Sequence, residues 1–187
     1  MEGIVASLIL LSAVVFALEM TAVTPLSAST SSQHIENQQE STARGVLASA
    51  AETGALERAL LSWNATSEQF YHTGEVGYFT TGAPPNRFGT MLERSFDRKG
   101  IAYNVYLRYQ GSDWRTHTQR YVYQGQPSDH AVRATWSLTL MVNDEIRDEN
   151  GDPTGTTVSG EPTYFAPQPS SSSVYNVINV EVVVWRI

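Results

Sequence analysis

Four histidines, one serine-aspartate-histidine run and one acidic turn are the places in this 187-residue sequence where chemistry would start. A hydrolytic triad needs a nucleophile, a base and an orienting acid that converge in space. Ser128, Asp129 and His130 are consecutive, so their side chains cannot converge in that way, and "GQPSDHA" reads as a turn between strands. His34, His72, His117 and His130 are scattered, with no HExxH or other helical ligand pair, so zinc has no donor set. The absence of cysteine removes disulfides, thiolate metal sites and a cysteine nucleophile together. "GEVGYFTTG" lacks the lysine and the strand–turn–helix setting of a phosphate loop.

In "DENGDPTG", Asp148, Asn150 and Asp152 alternate as in the first half of a calcium loop. Pro153 stands where the turn glycine belongs and Ser159 where the bidentate glutamate belongs, so the stretch reads as a solvated hairpin turn. "NAT" at Asn64–Thr66 is a glycosylation sequon, which makes Asn64 a candidate acceptor. No catalytic, cofactor-binding or metal-ligating residue can be named. The chain is read as a non-enzyme with no cofactor.

Two other carboxylates have more telling surroundings. Glu2 opens and Glu19 interrupts the run "MEGIVASLILLSAVVFALEM". From Gly3 to Leu18 sixteen residues carry no charge, and only Ser7 and Ser12 are polar; Met20, Ala22, Val23 and Leu26 extend the apolar character. As helix, residues 3–24 would span roughly 33 Å at about 1.5 Å per residue, close to the roughly 30 Å of membrane hydrocarbon. Pro25 then ends or kinks the helix, and Glu19 sits near one interface or faces another chain. The run is read as a retained membrane or assembly helix ahead of a cleaved signal peptide. "PLSAS" would serve for cleavage, but Glu2 occupies the place where a signal carries basic residues. A buried core helix is the third reading, disfavoured by the unbroken apolar run at the extreme terminus.

Behind this run, "SASTSSQHIENQQEST" is polar, yet its Gln and Glu favour helix and Ser/Thr before Gln33 can cap one. A sparse stripe through Ile35, Thr42, Val46 and Ala50 predicts a helix over 31–52, and a break at Gly54 a second over 55–63. "NRFGTMLERSFDRKG" has Asn86 as cap, Phe88, Met91, Leu92 and Phe96 on one face, and Gly100 as stop. Alternation then predicts strands in "IAYNVYLRY", "QRYVYQG", "AVRATWSLTLMV" and "VYNVINVEVVVWRI", with one more edge strand near Thr163–Phe165. The expected fold class is α+β. A long N-terminal transmembrane or assembly helix (1–26) and a helical stem (27–66) precede a domain (67–187), in which a helix packs on a four-stranded antiparallel sheet.

The net charge of −7 is uneven: residues 67–128 carry seven basic and five acidic side chains, and 129–187 three basic and eight acidic. No basic track forms, so nucleic acid is not an expected partner. Lys99 is the only lysine against eleven arginines, which suits either a salt-loving organism or a high-GC genome.

An acid heading an apolar helix that continues through a polar stem into a sheet domain resembles type IV pilins and pseudopilins. More closely, "EGIVASLILLSAVVFALEMTAVTPLSAS", "STSSQHIENQQ", "FGTMLERSF", "GIAYNVYLRY", "YFAP" and "VEVVVWRI" resemble an uncharacterised family of pilin-like membrane proteins from halophilic archaea. The resemblance covers nearly the whole chain. It implies a membrane-anchored structural subunit, a minor pilin or pseudopilin of a type IV pilus. Membrane lipid, other pilin-like subunits and the pilus assembly platform would be its partners. A single-pass placement would leave the N-terminus on the cytoplasmic side and the C-terminal domain extracellular, at the cell surface. In pilins the matching acid neutralises a neighbour's terminal amine, and by position Glu2 takes that role here, with Glu19 as the second assembly carboxylate. A prepilin carries a short basic leader ahead of this acid, whereas here only Met1 precedes Glu2.

Two rival functions accompany this reading. A tethered surface module would bind a ligand or glycan outside any filament, favoured if Trp114, Tyr78 and Phe79 stand exposed in loops. A secreted hydrolase with a cleaved signal is disfavoured, because no convergent catalytic set can be named.

Overall fold

A computed structural model describes the backbone from Glu2 to Arg186, with side chains over residues 3–17 and 33–186. The chain divides into two compact units, residues 1–38 and 39–187. Helix α1 is a 51-residue element, Glu2–Glu52, which continues past Pro25, where the sequence predicts an end or a kink. In the first unit every described side chain from Gly3 to Ala17 is exposed.

The expectation of a membrane-spanning helix over residues 3–24 is overturned, and with it the fold class built on such a helix and the single-pass membrane placement. Among the described residues no helix is long and apolar enough to cross a membrane. A span needs about 20 consecutive, predominantly apolar residues. The described apolar stretch, 3–17, falls short of that, and from residue 33 onward α1 carries Glu36, Glu40 and Arg44.

In the second unit α1 closes on Gly54, whose φ of 65° is the left-handed conformation that a glycine adopts without strain. Helix α2 follows over Ala55–Leu61, two residues shorter than expected. Strands β1 (Trp63–Asn64) and β2 (Gln69–Phe70) form a small antiparallel pair. Helix α3 covers Arg87–Ser95; the Asn86 side chain caps it by accepting from the N–H of Gly89 at 2.9 Å. A 3-10 turn, Asp97–Lys99, carries the chain to Gly100.

The principal sheet has four strands: β3 (Ile101–Gln110), β4 (Thr116–Tyr123), β5 (Val132–Met141) and, after a short hairpin of β6 (Glu145–Arg147) and β7 (Pro153–Thr157), β8 (Val174–Arg186). Its order is β4-β3-β8-β5 and every pairing is antiparallel. The last strand thus enters the middle, and β5 neighbours β8 rather than β4. Composition explains this. Ile178, Val180, Val182 and Val184 bury one face of β8, while Val183 and Trp185 join Ala102 in a smaller cluster on the other. A strand apolar on both faces belongs inside a sheet, not at its edge. Thr163–Phe165, expected as an edge strand, is turn and bend instead.

The core gathers the inner sheet face with Ala43, Val46, Leu47 and Ala50 of α1, the buried side of α2, and Phe88, Leu92 and Phe96 from α3 and its end. Aromatic edges tie it together: Phe70 meets Tyr121 at 4.8 Å and Trp63 at 5.2 Å, both nearly perpendicular. Phe79 is buried, so it does not meet the condition of an exposed loop aromatic set for a surface-binding module. Its backbone exchanges hydrogen bonds with Tyr121 and Tyr123, which covers the outer edge of β4.

Candidate functional site

The surface that most needs explanation is on α1. Nine large apolar side chains between Ile4 and Phe16 remain 49–68% exposed. Large apolar patches on proteins mark sites that another surface covers, and a helix apolar all round is one that becomes buried. The only two polar side chains there bond back onto the helix. Ser7 donates its hydroxyl to the carbonyl of Ile4 (2.9 Å), and Ser12 to that of Leu8 (2.8 Å). Both hydroxyl protons are satisfied within the helix, so a dry interface would strand neither. The Glu2 and Glu19 side chains, singled out for assembly, lie outside the described residues.

The groups inspected for catalysis stay apart. Ser128, Asp129 and His130 lie exposed in the connection between β4 and β5. His117 Nε2 lies 2.9 Å from Asp113 Oδ1 on the exposed β3–β4 turn, which draws the Asp113 carboxyl below its ordinary range. His72 Nε2 lies 3.3 Å from the carbonyl of Glu149. In the acidic turn, Asp148 Oδ1 accepts from the N–H groups of Asn150 (2.9 Å) and Asp152 (2.8 Å), so its carboxylate is occupied by its own hairpin. Among the described residues no group of three or more potential ligands could hold a metal ion.

Asn64 sits on β1, half-buried, and its side-chain oxygen accepts from the N–H groups of Thr66 (2.9 Å) and Ser67 (3.2 Å). The sequon is therefore also a turn built on the Asn64 side chain. Of the remaining loop aromatics, Tyr78 is half-buried and shares the Arg120 guanidinium with Tyr123, at 5.5 and 4.2 Å from the ring centres. Trp114 alone stands open, 65% exposed.

Sequence reasoning missed a cleft of about 360 Å³ at one end of the sheet. The end of β3 (Tyr109, Gln110), Thr116 of β4, the 169–172 loop and the first half of β8 line it. Asn176 organises this end: buried, it donates to the carbonyls of Gln110 (2.9 Å) and Pro167 (2.7 Å) and accepts from the Gln110 N–H (3.4 Å). Asn179 accepts from the Ser137 hydroxyl at 2.6 Å. The available signal was two asparagines, Asn176 and Asn179, in a strand rich in Val and Ile.

These features define a class, a helix-led chain whose compact unit is built on a four-stranded antiparallel sheet and whose helix carries uncovered apolar surface. A family profile matches residues 1–184, and the chain belongs to that family, the family of unknown function DUF7288. Comparison with curated proteins and with solved structures gives no match.

Proposed function

We propose that this chain is a non-enzymatic, pilin-like structural subunit that assembles with other subunits through the N-terminal stretch of α1. The observation that carries the reading is the run of nine exposed apolar side chains from Ile4 to Phe16, with both intervening serines bonded back onto the helix. Burying such a run against neighbouring helices at about 25 cal/mol per Å² supplies the driving force. Glu2 is assigned as the group that sets register, meeting a positive charge on a neighbouring subunit. Such an attraction at about 4 Å is worth about 4 kcal/mol at an effective dielectric of 20, before desolvation is subtracted. Glu19 is the second candidate for that role.

Sedimentation of the full chain tests the reading. The wild type should form concentration-dependent oligomers. Leu8→Glu with Leu11→Glu should abolish them while leaving the unfolding midpoint of the sheet domain unchanged. Glu2→Gln should weaken each association about tenfold, a loss of about 1.4 kcal/mol. A wild-type chain that stays monomeric at all concentrations, or a double variant that associates as before, would refute the proposal.

A further inference from the structure

The cleft at the end of the sheet has a composition that selects its ligand. Not one of its lining residues is charged, in a chain with a net charge of −7. It offers instead the amides of Gln110 and Asn179, the hydroxyls of Thr116 and Ser170, and the ring of Tyr109, with Asn176 and Tyr175 buried in its wall. Amides and hydroxyls both donate and accept, which is the requirement of a ligand whose own groups are hydroxyls. An ionised ligand would meet no counter-charge here and would be desolvated without compensation. At about 360 Å³ the volume falls in the range of small-molecule sites, about 300–1,000 Å³.

The cleft is also pre-organised. Asn176 fixes β3 to the 167 loop by its three hydrogen bonds. Tyr109 is held between His117, stacked at 5.8 Å, and the edge of Phe165 at 5.5 Å. Burial pushes the phenols of Tyr109 and Tyr175 above their ordinary range, so both remain neutral. Asn179 uses its oxygen on Ser137, which leaves its amide N–H groups for a ligand.

A second, independent observation lies on the hairpin whose flanks, Gln110 and Thr116, line the cleft. At its tip Trp114 combines two unfavourable states: an indole 65% exposed and a backbone φ of 62°, in the left-handed region. The turn itself holds the residue in that state. Trp114 N–H donates to the Gly111 carbonyl (3.0 Å), Gly111 N–H to that of Arg115 (2.8 Å), and Asp113 accepts from the Arg115 N–H (3.1 Å). An over-determined strained aromatic is a mark of a ligand contact. Its flat apolar face matches the C–H face of a sugar ring.

We infer that this cleft binds a neutral carbohydrate, and that Trp114, at the tip of the hairpin whose flanks line it, stacks on one of the sugar rings. The inference is independent of assembly through α1, because the binding surface and the helix share no residue.

Isothermal titration of the full chain with neutral trisaccharides (maltotriose, cellotriose, chitotriose, mannotriose) tests it, with trigalacturonate as the charged control. At least one neutral sugar should bind, with an affinity insensitive to salt between about 0.1 and 1 M, a range over which ionic contacts are screened. Trp114→Ala and Asn179→Ala should each weaken binding about tenfold, while Trp136→Ala, on β5 and outside the cleft, should leave it unchanged. A thermal melt of each variant separates lost binding from lost folding. No binding of any neutral sugar at millimolar concentration, preference for trigalacturonate, or indifference to both cleft variants would overturn the inference. The sedimentation behaviour of α1 variants is read separately, so either proposal can fail alone.

Discussion

The hydroxyl of Tyr164 donates to the backbone carbonyl of Leu60 at 3.0 Å, across 104 residues of sequence. Leu60 is in the last turn of α2, where carbonyls have no partner within the helix. Tyr164 supplies one, and its ring packs beside Trp63, Phe165 and Tyr175. The loop before β8 is thereby fastened to the helix that precedes β1. Tyr164→Phe keeps the ring but strands a buried carbonyl, and stability should fall by about 1–2 kcal/mol. A shift of the urea midpoint with unchanged m-value is the expected measurement. No shift would mean that water replaces the hydroxyl.

Alkaline pH should unfold the second unit sooner than its exposed groups alone would. Burial raises the Tyr121 and Tyr164 phenols above their ordinary value near 10. The folded state therefore keeps protons that the unfolded state releases. Stability is fully present below pH 10 and is lost as pH rises past it, by up to about 1.4 kcal/mol per pH unit for each tyrosine. With Lys99 as the only lysine, tyrosines dominate that window, and burial raises the phenols of Tyr103, Tyr109 and Tyr175 as well, so they add to the slope. Urea midpoints measured from pH 8 upward should be flat and then fall. Tyr121→Phe should reduce the slope, and an unchanged slope would remove Tyr121 from the account.

Gly89 tests a steric requirement inside α3. A Cβ at this position would lie 1.8 Å from the carbonyl oxygen of Pro84. Alanine would otherwise favour the helix by about 1 kcal/mol. The clash is with backbone and must win, so Gly89→Ala should lose at least about 1–3 kcal/mol as Pro84 and α3 are forced apart. At Gly74 a Cβ would meet nothing within 4 Å and φ is not positive, so Gly74→Ala should be neutral or slightly stabilising. Paired thermal melts of the two variants decide the point.

How much of this was legible in the sequence differs by element. The alternation of Tyr103, Val105 and Leu107, and of Val180, Val182 and Val184, marked inner sheet positions, because a strand's period of two survives any tertiary context. Asn86 and Gly100 were legible as cap and stop because their side-chain and backbone preferences are local. The β1–β2 and β6–β7 pairs escaped, since strands of two to five residues are too short to show a period. The membrane expectation failed on length: the uncharged run looks sufficient when Met20 and Val23 are added, but the described residues hold no helix apolar enough to span. The cleft was invisible because Gln110 and Asn176 meet across 66 residues, and no local pattern encodes that contact.

Asn104 shows the same limit at a single position and gives the last prediction. Alternation along β3 places it on the polar side, yet it is 0% exposed. On that side Ala102, Val183 and Trp185 form the smaller cluster, so both faces of this end of the sheet are covered. Asn104 survives there because its amide is fully used. It donates to the carbonyl of Gly125 (2.8 Å) and to the Tyr106 hydroxyl (3.0 Å), and accepts from the Gln124 N–H (2.8 Å). Those bonds hold the chain where it leaves β4, and the Gln124 side chain in turn accepts from the Tyr103 N–H at 2.9 Å. Asn104→Leu nearly matches the volume, so packing changes little. It leaves the Gln124 N–H and the Gly125 carbonyl without partners, at about 1–3 kcal/mol for each stranded group. Asn104→Asp keeps the acceptor but loses the donor and buries a charge, so it should be worse still at neutral pH and recover partly in acid. Equal stability of Asn104→Leu and wild type would show that the exit from β4 is held by the sheet alone. The expected result is a loss of about 2–4 kcal/mol, with hydrogen exchange accelerating first at Gln124 and Tyr103.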